Sequence, residues 1–415
     1  MEEVLNMPVR ILLLTQWFDP EPTFKGMVFA RELVRQGFEV EVLTGFPNYP
    51  GGKIYPGYRI KLLQRELIDG IRITRVPLYP NHSHSVVKRV LNYLSFAVSS
   101  LIYGLFMARR VDVIYAYHPP LTIGITAGLI RFFRRIPVLY DIQDMWPDTL
   151  AATGMINNKK LLKIIGVICE WVYKNVDQLV VLSPGFKELL MQRGVPENKI
   201  HVIYNWADEV ALAGSQSRVS PIFPAQKYFR IVFAGNIGPA QALDAVLDAA
   251  TILKSRCSRI CFVIIGNGLE AARLKERSLK EKLENVIFLS PVSMLEIGSY
   301  LKKADALLVH LRNDPLFEIT IPSKTQAYMS IGRPLLMAVN GDAANLVRLS
   351  GGGLTAQPEH PESIADVAEC LANMPTSELH EMGRQAKRYY DQKLSVQAGV
   401  VHFCDIFNRL FINRI

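Results

Sequence analysis

Residues 315–334 read PLFEITIPSKTQAYMSIGRP. The stretch joins two apolar runs, 304–311 and 334–339, that read as buried strands, and it sets an acid, Glu318, a lysine, Lys324, and a helix start between them. A loop and helix at the carboxyl end of a strand is where an open parallel sheet binds its ligands. The amides of Ser323, Lys324, Thr325 and Gln326 would open the helix without partners inside it, and Lys324 adds a full positive charge, so the turn suits phosphate oxygens. The plain alternative is a strand-to-helix connection carrying a solvated lysine.

Outward from this stretch, short apolar runs alternate with helix-length segments, the pattern of a doubly wound parallel sheet. In the first half they are 10–14, 39–43, 71–76, 111–115, 137–140, 179–182 and 200–203; in the second, 230–233, 260–265, 285–289, 306–309 and 335–339. Residues 209–227 are rich in Ser, Ala, Pro and Gln without periodicity and read as a linker. The reading is therefore α/β with two Rossmann-like domains facing a cleft: 7–207, and 208–395, with 396–415 as an apolar helix packing back onto the first. Met7 is read as the natural start.

The 415 residues carry 47 Lys+Arg against 38 Asp+Glu, a net charge of +9, and 49% apolar residues. That composition is globular and asks for an anionic partner. To Asn205 there are 24 basic residues against 17 acidic, and beyond it 23 against 21, so the excess lies in the first half. Nucleic acid is disfavoured, because no helix-turn-helix, zinc or aromatic RNA-binding pattern accompanies the charge; an anionic membrane surface accounts for it. Residues 86–110, VVKRVLNYLSFAVSSLIYGLFMARR, have a long uncharged centre near the length that spans a bilayer. Asn92, Ser95, Ser99 and Ser100 dilute it, and spanning would split one domain across two compartments. A helix lying at the interface, its basic ends on headgroups, is preferred to a buried crossover helix. IRFFRRIP at 130–137 adds residues of the same kind. The five cysteines are scattered, which points to a reduced, cytosolic protein, peripherally bound to the inner face of the plasma membrane. His82 and His84 in NHSHS read as a polar loop rather than a metal site.

Two glycine turns carry the chemistry of the second half. Gly235–Asn236–Ile237–Gly238 leaves a strand and enters a helix near Gln241, and Gly266–Asn267–Gly268 repeats the device after the next strand. Glycines let a phosphate approach the backbone, and a helix start is electropositive. GNIGPAQALD lacks the third glycine and the later acid of a dinucleotide fingerprint. In the first half, His118 ends a strand and precedes two prolines, and Asp141 and Asp144 follow the next strand, placed to orient or deprotonate a hydroxyl.

The order of these motifs resembles the donor domain of family 4 glycosyltransferases: GNxG, GxG, the PV at Val292, then Glu318 and PSKTQAYMSIGRP. Lys25–Gly26, HPP at 118–120, YDIQDMWPD at 140–148 and YNWAD at 204–208 extend the likeness over nearly the whole chain. It is nearest to bacterial O-antigen and capsule enzymes of the N-acetyl-L-fucosamine transferase type. The resemblance implies a GT-B fold and retaining, metal-independent transfer from a UDP-sugar, with no cofactor, to a polyprenyl-diphosphate-linked or other lipid-linked saccharide. It makes His118, Lys324, Glu318, Asp141 and Asp144 the catalytic candidates. Donor binding would fall to Gly26, Asn205, Gly235, Asn236, Gly238, Gln241, Gly266, Asn267, Gly268, Val292, Ser323, Thr325 and Gln326. With no metal, amides and cations must meet the charge on the leaving diphosphate.

Two departures stand out. Asn236 and Gln241 replace a familiar Arg and Lys, and Gln326 replaces a second glutamate, so Lys324 carries more of the load. A UDP-sugar 2-epimerase of the same architecture, or a catalytically silent sugar-nucleotide binder, are the rival readings.

Overall fold

The computed structural model describes residues 8–82, 85–108, 110–213 and 219–414. Met7, His84 and Arg109 lie outside the described residues, as do five residues of the expected linker. The chain divides into two compact units. One runs to Leu182, resumes over Phe186–Ile203 and takes back Gly399–Ile415; the other is Ser183–Gly185 with Tyr204–Ala398.

The first unit holds an eight-stranded sheet: β1 Arg10–Leu14, β2 Glu39–Gly45, β3 Gln64–Ile68, β4 Ile71–Val76, β5 Val113–Tyr117, β6 Val138–Ile142, β7 Gln178–Val181 and β8 Ile200–Val202. Their order is β3-β4-β2-β1-β5-β6-β7-β8, parallel except for the β3–β4 pair. Four helices of this unit matter below: α1 Met27–Arg35, α2 Val86–Phe106, α3 Thr122–Arg134 and α4 Lys159–Asn175. The second unit is a six-stranded parallel sheet, β11-β10-β9-β12-β13-β14. Its strands are β9 Phe229–Ala234, β10 Ile260–Ile265, β11 Val286–Leu289, β12 Ala306–His310, β13 Leu335–Ala338 and β14 Gly353–Thr355. Its helices include α5 Asp244–Arg256 and α6 Ser323–Ile331, and α7 Val396–Ile412 starts there and continues into the first unit.

These orders fix where ligands can bind. Strand order reverses at β1/β5 in one unit and at β9/β12 in the other, and the crevice beyond the carboxyl ends at such a switch is the natural site. Central strands are buried along their whole length, as in β5, β6, β10 and β12. That explains their continuous apolar runs, since parallel strands are covered on both faces. Two strands escaped the sequence: β3 is mostly polar and solvent-facing, and β14 has three residues, both at sheet edges.

The expected linker over 209–227 needs correction. Glu209–Ala213 is a helical turn whose Ala211 and Leu212 are buried, Leu212 within the core under β12 and β13. Glu209 Oε1 accepts from Tyr390 Oη at 2.7 Å and from the Val396 amide at 3.2 Å, so this segment is fastened to the second unit. The C-terminal helix buries one face and leaves Val401 and Ile412 exposed on the other. Phe403 and Phe407 pack against Phe29 and Tyr115, with ring centroids 5.0 to 6.0 Å apart.

Helix α2 has its faces reversed. Asn92, Phe96, Ser100 and Tyr103, spaced four, four and three apart, are buried. Outward stand Val87, Leu91, Leu94, Val98, Ile102 and Phe106, each between 49% and 79% exposed. Length and composition would let Val87–Phe106 cross a membrane, yet one side of it is packed into the unit.

Candidate active site

In the second unit, the loops after β9 and β10 lie directly on one another. The Gly235 amide donates to Ile265 O and the Ile237 amide to Asn267 O, both at 2.9 Å. Gly266 has φ +151°, and a Cβ there would collide with the Gly235 carbonyl; only glycine allows this approach. Gly235, with φ +137°, faces Lys324: the Nζ lies 3.2 Å from where a Cβ would stand. That Nζ is buried, has no hydrogen-bond partner among the described residues, and sits 3.7 Å above the centroid of the Phe233 ring. Burial pulls the ammonium down to about 7. An amine kept from water beside a glycine turn, with no carboxylate to meet it, is prepared for an anion that the fold itself does not supply.

Around it, Gln241 Oε1 accepts from the Gly238 amide at 3.0 Å and from Asn236 Nδ2 at 3.3 Å, so these two side chains brace the turn. The Gly268 amide donates to Asn267 Oδ1 at 2.8 Å. Expected as the start of a helix near Gln241, the segment is a 3-10 turn, Pro239–Gln241, ahead of α5. Val292 is half-buried beyond β11, and Glu318, itself exposed, ends a short helix, Pro315–Glu318, whose Leu316 is buried.

At the start of α6 one expectation changes. The Thr325 amide is already accepted by Pro322 O at 2.8 Å, which removes it from the free donors. Gln326 is buried, and its amide nitrogen, oriented by its neighbours, donates to Pro322 O and Ser323 O. Those two bonds brace the first turn of its own helix. Asn205 is buried and already engaged within the fold.

Residues the sequence did not single out hold these loops. His310, fully buried at the end of β12, has Nδ1 2.7 Å from Gln241 O, while Nε2 accepts from the Glu359 amide at 3.1 Å. The Nδ1 must therefore carry the proton, and burial keeps the ring neutral. Tyr328 of α6 accepts from the Ala234 amide at 2.8 Å, tying the helix that carries Lys324 to the end of β9.

In the first unit, Gly26, His118 and Asp144 follow strands β1, β5 and β6, and Asp141 is the penultimate residue of β6, at the same carboxyl edge. His118 is buried, edge-on to Trp146 at 5.3 Å, with Nδ1 unpartnered. Burial alone drives its pKa to about 3, so the ring is neutral. Asp141 does not reach an acceptor: it is fully buried, Oδ2 accepting from Tyr115 Oη and Oδ1 from Gln143 Nε2, both at 2.6 Å. Burial raises its pKa, and the charge of Lys25 is the strongest opposing influence. Lys25 is itself fully buried, 5.3 Å from the Phe403 ring centroid, and burial lowers it to about 8 against the pull of Asp141. Asp141 is thus an internal counter-ion, whereas Asp144 is only partly buried. Gly26 precedes α1. The Met27 amide opening α1 donates to Asp19 Oδ2 at 2.6 Å, and the same carboxylate fills the space beside the glycine. A carboxylate of the chain itself holds that helix start.

Nine buried side-chain polar atoms have no partner among the described residues. Seven of them, on Gln16, Trp17, Thr23, His82, His118, Lys324 and Thr325, belong to loops beyond the carboxyl ends of the strands or to the start of α6. Buried polar groups are normally satisfied, so their concentration here marks the ligand-facing edge of each sheet.

Comparison with known proteins agrees with this geometry. Residues 27–206 match the glycosyl transferase 4-like domain and residues 218–389 the glycosyl transferases group 1 domain. The chain belongs to the family 4 glycosyltransferases of GT-B fold. It is 27% identical over 338 residues to WcaI of Escherichia coli K12, named as a colanic acid biosynthesis glycosyl transferase, covering 78% of this chain and 82% of that one. To the glycosyltransferase WbjE of Pseudomonas aeruginosa it is 22% identical over 297 residues, 70% of this chain and 74% of WbjE. Among solved structures, HepE of Anabaena in complex with UDP and glucose has a TM-score of 0.66 at 15% identity, over 96% of this chain and 99% of HepE.

Proposed function

We propose that this protein is a retaining glycosyltransferase of bacterial surface-polysaccharide synthesis. It moves a sugar from a UDP-sugar to a lipid-linked saccharide at the inner face of the plasma membrane, without a metal ion. An N-acetylated hexosamine such as N-acetyl-L-fucosamine is the sugar implied by the resemblance of GNIGPAQALD and PSKTQAYM to the N-acetyl-L-fucosamine transferase type. The observation that carries the reading is the buried, unpartnered Lys324 Nζ against Gly235, at the switch between β9 and β12. A diphosphate arriving there gives that amine its counter-charge, and the amides of Ser323 and Lys324 open α6 beside it. In the transfer step, negative charge grows on the leaving phosphate, and this fixed cation stabilises it without reorganisation. Glu318 is assigned to hydroxyls of the donor sugar, neutral His118 to the transferred sugar, and Asp144 to the acceptor hydroxyl. The names of WcaI and the UDP bound to HepE support the polysaccharide and donor assignments. The uncharged outward face of α2, with Lys88 and Arg89 at one end and Arg110 beyond the other, supports peripheral attachment to an anionic bilayer.

The test is transfer from radiolabelled UDP-sugars to membrane-extracted acceptor. Lys324→Ala is expected to lower turnover about 100- to 1,000-fold, the usual loss for one oxyanion-stabilising group. Excess chelator should leave wild-type turnover unchanged. Equal background rates for wild type and Lys324→Ala would favour a silent binder, and formation of a 2-epimer of the free donor would favour the epimerase.

A further inference from the structure

We infer that α4 is a second membrane-contact element beside α2, so that α2, α3 and α4 together seat the first unit on an anionic bilayer with their axes in its plane. The inference rests on the peripheral attachment proposed above and extends it to a helix with no such signal in the sequence. Helix α3 packs against both others. Thr122 and Thr126 hydroxyls donate to Tyr93 O and Ala97 O of α2, and Gly124 and Gly128 lie against Val172 and Trp171 of α4. Small residues on α3 let it sit low between its neighbours, and most of its residues are buried until Phe132 and Phe133, 72% and 66% exposed, at its end.

On α4 an outward stripe runs Lys160, Ile164, Val167, Trp171, Lys174, at helical spacings of four, three, four and three. Ile164 and Val167 are 56% and 59% exposed and Trp171 is 39% exposed. The apolar centre with a lysine at each end mirrors α2, and an exposed tryptophan is the side chain that favours the headgroup boundary.

Charge identifies the occupant. The three helices carry eight lysines and arginines against one acid, Glu170, a net +7 of the +9 of the whole chain. Among the described residues, only Arg131 of these eight has a carboxylate partner, Asp177. The helices follow successive parallel strands and run the same way, so the basic residues fall at both ends of one apolar face. An anionic bilayer meets both features. A second copy of the chain would bring the same positive surface against itself, which disfavours a symmetric dimer.

The full chain is to be assayed by co-sedimentation with vesicles of phosphatidylcholine alone and with one third phosphatidylglycerol. Binding to the anionic vesicles only is expected. Lys160→Gln with Lys163→Gln should weaken it about 30-fold, at roughly 1 kcal/mol for each lysine near the surface. Trp171 emission should shift to the blue on the anionic vesicles, a change absent from Trp171→Phe. All these positions are exposed, so unchanged melting temperatures will confirm that the variants fold. If Leu94→Asp with Val98→Asp abolishes binding while the lysine variant binds like wild type and Trp171 does not shift, α2 acts alone. The inference then falls and peripheral attachment stands. If wild type binds neither vesicle, both fall. A concentration-dependent dimer broken by the lysine substitutions would assign the face to a second copy and overturn the inference.

Discussion

At the scale of single residues, Lys324 decides the chemistry because its burial and its lack of a partner oppose each other. Removing an ammonium from water is costly, and the Phe233 ring face offsets only part of that cost. With the folded pKa near 7 and the unfolded value near 10.5, the unfolded chain binds the extra proton between these limits. The lysine therefore destabilises the unliganded protein below pH 7, and that penalty fades as pH rises toward 10.5. Donor binding inverts the balance. A diphosphate needs the ammonium, so above pH 7 each pH unit adds about 1.4 kcal/mol of protonation cost to binding. UDP affinity measured by calorimetry should fall from pH 7 to pH 9, by up to about tenfold per unit. Lys324→Ala should bind more weakly, with no such slope; a wild-type affinity independent of pH in this range would show that the amine stays charged without ligand. The glycines and the lysine were legible in sequence because close approach demands those residue types. What each acid faced was not. Asp141 and Asp144 are three apart at one strand end, yet one is fully buried as the partner of Lys25 and the other is not. Only the packing of Phe403, from the far end of the chain, reveals that Lys25 is enclosed.

At the scale of elements, the inner face of α2 shows why a helix of such apolar composition carries an asparagine. Asn92 accepts from Gln16 Nε2 at 2.6 Å and donates to Tyr79 O at 2.7 Å, joining the loops after β1 and β4. Its Nδ2 lies 3.4 Å from Asn48 Oδ1 in the loop after β2. Gln16, Asn48 and Asn92 are all fully buried. Ser95 and Ser99 add bonds to the Tyr79 amide and to Pro77 O. Polar residues that dilute the segment as a membrane span are thus the fastening of the helix to the strand-end loops. Asn92→Leu keeps the branching at Cγ but strands the Gln16 amide and the Tyr79 carbonyl. At about 1–3 kcal/mol for each unsatisfied buried group, the variant should lose several degrees of melting temperature. An unchanged urea midpoint would mean water replaces the lost bonds. Most strands were legible from their apolar runs, because both faces of a central parallel strand are covered. β3 and β14 were not, since edge strands need no such run. The turn at 209–213 was read as linker because its anchors, Tyr390 and Val396, lie more than 180 residues away.

At the scale of the whole molecule, the chain does not complete its first unit until its last residues. Helix α7 leaves the second unit at Ala398, and from Gly399 onward it belongs to the first. There Val400, Phe403, Ile406, Phe407 and Leu410 are all at least 94% buried. Phe403 lies against Phe29 of α1 and Tyr115 of β5, and Phe407 against Phe38, so the helix closes the sheet face on which Lys25 and Asp141 are enclosed. Burial of these five side chains contributes roughly 1.5–3 kcal/mol each, together comparable to the net stability of a domain. A chain ending at Ala398 should therefore fail to fold its first unit while keeping the six-stranded sheet and its Lys324 site. Phe403→Ala, which leaves the rest of the helix in place, should cost about 3–5 kcal/mol. Calorimetry of the truncated protein should show the loss of one melting transition, with UDP still stabilising the other. If the truncated chain melts in the same way as the full one, α7 is an accessory to the first unit and not part of its core.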